Sequence, residues 1–344
     1  MKRRTMLKGL GIGAAGTVGI PGFANIALAR KFWMNDVPSF PEITIKNGLI
    51  RAKVYLPHQE KGYYRSTRFD WSGVISSLEY KGHSFFGEWF EKHDPKINDA
   101  ITGPVEEFNP IGYEEAKPGD TFLKIGVGVL RKADDVPYRF ALPFEVVDYG
   151  QWFVSGKKDQ VEFVHHLTDP NGHSYHYQKG LKLVKGKAEL IVDHTLLNTG
   201  TGKIETKGYN HNFFILDNQK IGPGYTVTFP FDLSLVRESR GLGSLVEIRE
   251  NRINYLKDLE KGESAMLFLG GFSRHPEDYD NRIENSHSGA GVRITCDQPI
   301  SDLAFWSIYT TLCPEPYIKI DVDPGKEFSW QIKYEFYSNA QRSN

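Results

Sequence analysis

Two runs decide the fold: His173-Ser-Tyr-His-Tyr-Gln-Lys-Gly-Leu-Lys-Leu-Val184 and Lys187-Ala-Glu-Leu-Ile-Val-Asp-His-Thr-Leu-Leu197, joined by Lys185-Gly186. Both alternate with a period of two, and a Lys-Gly pair between such runs signals a hairpin. Working outward, the same reading recurs at Leu49–Leu56, Val74–Tyr80, Thr121–Leu130, Gln160–Leu167, Glu205–Leu216 and Tyr225–Pro230. It continues through Ser264–Gly270, Gly291–Cys296, Asp302–Tyr309, Tyr317–Val322 and Glu327–Tyr337. These segments are rich in Val, Ile, Thr, Tyr and Phe, and turn pairs such as Lys81-Gly82, Asn171-Gly172 and Pro324-Gly325 separate them. No amphipathic helix longer than about three turns stands out. Strands do not alternate with helices, which disfavours a parallel α/β fold. The expectation is an all-β chain folded as one large antiparallel β-sandwich. The polar stretches Glu91–Pro118 and Arg274–His287 are expected as long loops that wall a site.

Composition narrows the class. The chain has 344 residues, 42 Lys+Arg against 43 Asp+Glu, and 40 % apolar residues, enough to build a core. A net charge of −1 argues against a nucleic-acid partner. Two cysteines cannot make a disulfide scaffold or a four-thiolate zinc site. Met1–Ala29 reads as an export signal: Lys2, Arg3, Arg4 and Lys8 precede an apolar stretch from Leu10 to Ile20, and Ala27-Leu28-Ala29 closes it. The Arg3-Arg4 pair before a weakly hydrophobic segment looks like a twin-arginine signal; an ordinary secretory signal and an uncleaved anchor are the alternatives. Cleavage after Ala29 would leave residues 30–344, a 315-residue single domain of net charge −5. It would be exported to the periplasm, with the export machinery as a partner. Beyond residue 30 no run is long enough to span a membrane. Export makes a Cys296–Cys313 disulfide chemically permissible, but two separate buried thiols are expected.

Three segments carry candidate chemistry. In Tyr209-Asn210-His211-Asn212-Phe213-Phe214, a strand would put Tyr209, His211 and Phe213 on one face, an imidazole between aromatic rings. That suits a sugar site, where a pyranose stacks on aromatics and His moves a proton; a core histidine satisfied by Asn210 or backbone is the competing reading. In Cys313-Pro314-Glu315-Pro316-Tyr317, a Glu between two prolines is no routine strand surface residue. Held among apolar neighbours, its carboxyl would have a raised pKa, useful in a general base, whereas in an exposed turn it would be inert. In Tyr63-Tyr64-Arg65-Ser66-Thr67-Arg68-Phe69-Asp70-Trp71, the guanidinium groups could clamp polyol hydroxyls, or merely form a charged strand edge. Arg65, Arg68, Asp70 and Trp71, with His176, Tyr209 and Glu107, make up the candidate sugar contacts. His165 and His166 are neighbours on a strand and so point to opposite faces. His173-x-x-His176 near Asp169 lacks a third and fourth ligand, so no metal and no cofactor are expected.

Taken in order, these pieces resemble the aldose 1-epimerase (galactose mutarotase-like) superfamily. Asn210-His211-Asn212-Phe213-Phe214-Ile215-Leu216 is similar to its Asn-His-x-Tyr-Phe-Asn-Leu strand motif. Glu315-Pro316, followed by Asp323-Pro324-Gly325 and a closing strand, is similar to its C-terminal catalytic segment. The resemblance implies a galactose mutarotase-like supersandwich and a mono- or oligosaccharide substrate. It also implies Glu315 as general base and His211 as general acid in opening a sugar ring, and Arg65 or Arg68 as a sugar contact. Departures are plain. No Leu-His-Gly-Gly-like segment is present; its place falls near Gly103–Phe108, where acidic residues stand. The motif Tyr is Phe213, and the acidic substrate-binding residue has only Asp278, Asp280 and Glu284 as candidates. A non-catalytic carbohydrate-binding sandwich is the alternative. So is an oligosaccharide lyase or hydrolase using acids of the Glu88–Glu107 region.

Overall fold

A computed structural model describes residues 40–169 and 171–339, so the Met1–Ala29 segment lies outside the described residues. Among the described residues there is no α-helix, only two single-turn 3-10 helices at Leu216–Asn218 and Pro276–Asp278. None of the helices is long and apolar enough to cross a membrane. The ladders between the strands are all antiparallel. Ten strands form one sheet, running from Val246–Arg249 at one edge through Glu327–Ser338 and Glu189–Asn198 to Gln151–Gly156 at the other. A six-stranded sheet has the order Ser234–Leu235, Ser264–Gly270, Asp302–Ile308, Thr311–Val322, Ile204–His211 and Val105–Phe108. Among the described residues there are also sheets of four and three strands.

The 173–197 hairpin lies in the large sheet. Tyr175–Leu183 pairs with Glu189–Asn198, and Tyr175, Tyr177, Leu181, Leu183, Leu190, Val192 and Leu196 all point into one core. Alternation therefore did what a half-buried sheet requires: one face apolar, the other polar. Elsewhere the sequence expectation needs correcting. The two polar stretches are not only loops, because they contain the strands Val105–Phe108 and Asp280–Asn285. Thr121–Leu130 is two strands, Thr121–Lys124 and Gly128–Arg131, broken by a turn in which Gly126 takes φ +73°. Gly126 also has no room for a side chain, since a Cβ would lie 2.4 Å from Asp70 Oδ1. The Glu205–Leu216 run stops at His211, and Phe213 just beyond takes φ +46°.

The Thr311–Val322 strand runs straight through Pro314 and Pro316, longer than the expected Tyr317–Val322. Its partner Ile204–His211 is in register from Ile204↔Val322 to Gly208↔Ile318, and the same register returns at Phe214↔Leu312. Between these points two ladder donors are missing, because proline has no N–H. The Asn212 side-chain amide fills the gap, donating to the carbonyls of Asn210 at 3.2 Å and Pro314 at 3.4 Å. That register sets His211 directly opposite Glu315, and Tyr209 opposite Tyr317.

Candidate active site

Alternation sorts the central strands of the six-stranded sheet into two faces. Glu106 and Asn210 point toward the ten-stranded sheet, where Glu106 meets Lys179 and His194 and Asn210 meets Tyr334. Glu107, Tyr209, His211, Glu315 and Tyr317 point the other way, into a cavity of about 470 Å³. Trp89 and Phe213 line this cavity and pack with Phe69 in a second small core that includes Tyr63, Tyr64 and Trp71. Gly103 permits a close approach: a Cβ there would stand 1.9 Å from the carbonyl oxygen of Asn212.

At the floor, His211 Nε2 lies 3.4 Å from Glu315 Oε1, and both side chains are almost fully buried. The imidazole stacks on Phe213 at 3.7 Å between ring centroids and meets the rings of Phe69 and Trp306 edge to face. Its Nδ1 is buried with no hydrogen-bond partner. Burial, with help from the positive charge of Arg68, holds His211 well below its usual pKa. Burial also pushes Glu315 up, to about 8; Arg68 opposes this and Glu107 adds to it. At neutral pH the pair therefore holds one proton, as a neutral imidazole beside a carboxylic acid.

One wall is a charged clamp. Arg68 donates from Nε to Glu107 at 2.8 Å, from Nη1 to Asp99 at 2.6 Å and from Nη2 to the Tyr209 hydroxyl at 3.2 Å. Its guanidinium lies between the rings of Phe69 and Phe140, 4.5 and 4.2 Å from their centroids. Tyr209 donates to Glu107 at 2.6 Å. Lys124, wholly buried, stands 3.6 Å from the same carboxylate, and burial pulls its pKa down to about 8 although Glu107 works the other way. Burial opposes the ionisation of Glu107, but Arg68 and Lys124 outweigh it and hold this carboxyl below its usual range. The cleft thus presents an ionised acid, Glu107, and a protonated one, Glu315, set apart by their neighbours.

Of the residues expected from sequence, the structure brings together Arg68, Glu107, Tyr209, His211 and Glu315. The others stand elsewhere. Asp70 is buried between the sheets, accepting from Ser72 and Tyr177 and 3.5 Å from Lys179. Trp71 turns inward and donates its indole N–H to Ser66. The Arg65 backbone N–H bonds Pro95, and its guanidinium does not line the cleft. His176 sits opposite His166, and the two rings meet 4.2 Å apart. His173 instead lines a separate hollow with Asp169, Glu115 and Asp120. Asp280 is engaged by Arg293, Asp278 by the backbone of Ser273 and Glu284 by Asn339, so none of the three supplies an acid to the cleft.

Sequence reasoning passed over Trp89, Asp99, Tyr138, Phe140, Arg240 and Met266, all of which line the cavity. Asp99 lay inside a stretch already marked as a site wall and Trp89 two residues before it; Arg240 and Met266 carried no signal. Cys296 and Cys313 are both free and buried. Cys313 brings its sulfur within 4.8 Å of the donor atoms of His211 and Glu315, a potential three-ligand set. Its Sγ accepts the Asn212 N–H at 2.9 Å, and burial pushes the thiol well up.

No protein-family model matches the sequence, and no curated protein is similar to it at the sequence level. Solved structures are similar in fold. The Slr1438 protein from Synechocystis sp. PCC 6803 superposes with a TM-score of 0.55 at 13 % identity, over 90 % of this chain and 100 % of that one. A GalM/aldose epimerase homologue from C. elegans gives 0.53 at 14 % identity, over 88 % and 99 %. A galactose mutarotase-like protein from Lactobacillus casei ATCC 334 gives 0.50 at 16 % identity, over 86 % and 100 %. At such identities the likeness is one of fold, and it defines the class: the chain is a galactose mutarotase-like antiparallel β-sandwich.

Proposed function

We propose that the protein interconverts the anomers of a sugar by acid/base opening of its ring. The observation that carries this reading is the buried His211–Glu315 pair at 3.4 Å on the floor of an aromatic-lined cleft. The reacting form is the tautomer in which the pair's single proton has passed from Glu315 to His211: the Glu315 carboxylate then takes the proton of the anomeric hydroxyl while the C1–O5 bond breaks, and His211 gives its proton to O5. The aldehyde end turns about C1–C2, and the two transfers run backwards on its other face. After opening, Glu315 is protonated and His211 neutral. That is the state burial already favours in the empty cleft, so the site's electrostatics suit the open-chain intermediate. Each positioned group is worth ~10²–10⁴ in rate. No metal or cofactor is needed for proton transfers of this kind. Trp306 and Tyr317 offer rings for a pyranose, and Arg68 with Glu107 offers directional partners for hydroxyls.

The test is anomer exchange measured by NMR or polarimetry on a panel of aldoses. A sugar that demonstrably binds yet exchanges no faster than background would overturn the reading. The pair must keep one proton to work, so kcat/KM should be flat from about pH 6 to 7. It should fall about tenfold per pH unit once the proton is lost above about 8. A profile that instead climbs through pH 8 would mean that Glu315 acts without that proton.

A further inference from the structure

The cleft does not end at the acid/base pair. Asn109, Met266 and Tyr317 line its cavity and also a second one of about 480 Å³, floored by Phe268 and Leu303 and bounded by Lys207, Arg237 and Phe272. Each compartment alone falls within the ~300–1,000 Å³ of a small-ligand site. The three shared residues set the two compartments side by side, and together they exceed what a single sugar ring fills.

The charges around the two compartments do not balance. Asp99 and Glu107 are committed to Arg68, and Asp302 is held by Lys207 at 2.6 Å. Glu315 is protonated at neutral pH. Arg240 lines the first compartment and Arg237 the second, and neither guanidinium pairs with a carboxylate among the described residues. Arg237 instead lies 3.3 Å above the Phe268 ring, which holds a cation flat over an apolar floor. Both arginines come from one segment that follows the short edge strand Ser234–Leu235. A guanidinium on an aromatic face with free edges is suited to a carboxylate or sulfate group.

We propose that the second compartment binds an anionic sugar unit, so that the protein acts on the reducing end of an acidic oligosaccharide of two or more rings. The ring to be opened would sit over His211 and Glu315, and the unit bearing a carboxylate or sulfate would lie over Phe268 against Arg237 and Arg240. This rests on the anomerase reading for what happens at the first ring, but the compartment's binding preference can be measured without turnover.

The experiment is calorimetric titration of the full chain with four ligands. They are a disaccharide ending in a uronic acid, the same disaccharide with that carboxyl reduced to an alcohol, a sulfated disaccharide, and a hexose monophosphate. The uronate or the sulfate form should bind at least about tenfold more tightly than the neutral one, as a charge-assisted hydrogen bond warrants. Whichever anion binds better names the source of the charge. The preference should shrink toward unity in Arg237→Ala/Arg240→Ala and on raising salt from about 50 to 500 mM. Both arginines are exposed, so the double variant should fold. Equal binding of charged and neutral disaccharides would overturn the proposal, and so would a preference that survives the double substitution. A hexose monophosphate binding as tightly as the charged disaccharides would overturn the two-ring part. Anomer exchange followed on wild type in the same samples keeps the readings apart. Exchange without preference sinks only the acidic compartment, and preference without exchange sinks only the anomerase.

Discussion

Glu315→Gln is expected to be an inactive protein that is harder to unfold than wild type. Anomer exchange should fall by ~10²–10⁴, the usual worth of a positioned base. The stability gain follows from linkage. Burial raises the Glu315 carboxyl from 4.5 to about 8 in the folded chain. Between those two pH values the folded state holds a proton that the unfolded state has released, so wild-type stability falls as pH rises. At pH 7 to 8 the cost is on the order of 3 kcal/mol, and Gln, which never ionises, avoids most of it. The difference between variant and wild type should be near zero at pH 4.5, widen through neutrality and level off above about 8. Urea unfolding at pH 5 and pH 8 reads it directly. A gap that does not change with pH would show that the carboxyl is ionised in the folded protein, and retained exchange would remove Glu315 from the chemistry. Loss of activity with gain of stability is the signature of a group kept for function.

How much of this was legible beforehand depends on which physical rule each residue obeys. The hairpin 173–197 could be read because its alternation reports a sheet with one dry face, and His211 and Glu315 because each is a polar group in an aromatic run. Val105-Glu106-Glu107-Phe108 could not be read as a strand, since two adjacent acids look like a solvated loop. They are buried because one meets Lys179 and His194 behind the sheet while the other meets Arg68 and Lys124 in front. Those partners are distant in sequence, so no local pattern announces them. Asp70 misled for the same reason: Arg68, two residues before it, reaches the cleft, but Asp70 is taken up behind the sheet by Ser72, Tyr177 and Lys179. Arg240 and Met266 enter the cleft only through pairing with each other at a sheet edge that no periodicity fixes.

The interior face of that strand supports the last expectation. Lys179 donates to the Ser72 carbonyl at 2.8 Å, pairs with Glu106 and lies 3.5 Å from Asp70, all within 1 % exposure or close to it. From Glu106 the polar chain continues: Asn210 donates to it at 3.0 Å, and Tyr334 donates to Asn212 at 2.8 Å. Asn212 in turn bridges the proline gap beside Glu315. Lys179→Met leaves two buried carboxylates facing each other with no cation between them. Breaking a buried pair by removing one partner costs about 3–5 kcal/mol, and this should be among the most damaging single changes outside the apolar core. The loss should be smaller at pH 5 than at pH 8. Asp70, already raised to about 6 by burial and by Glu106 against the pull of Lys179, can then take up a proton and cease to repel Glu106. Adding Glu106→Gln should recover part of the loss, because contacting members of one network do not add. Urea unfolding of the two variants at both pH values is the measurement. A single variant within about 1 kcal/mol of wild type at pH 8 would mean that Lys179 does not brace the floor. If the cost is as large as expected, the folded fraction of Lys179→Met should also exchange anomers more slowly. The network reaches the backbone that carries His211 and Glu315, and ångström-scale misplacement of reacting groups costs on the order of 10² in rate.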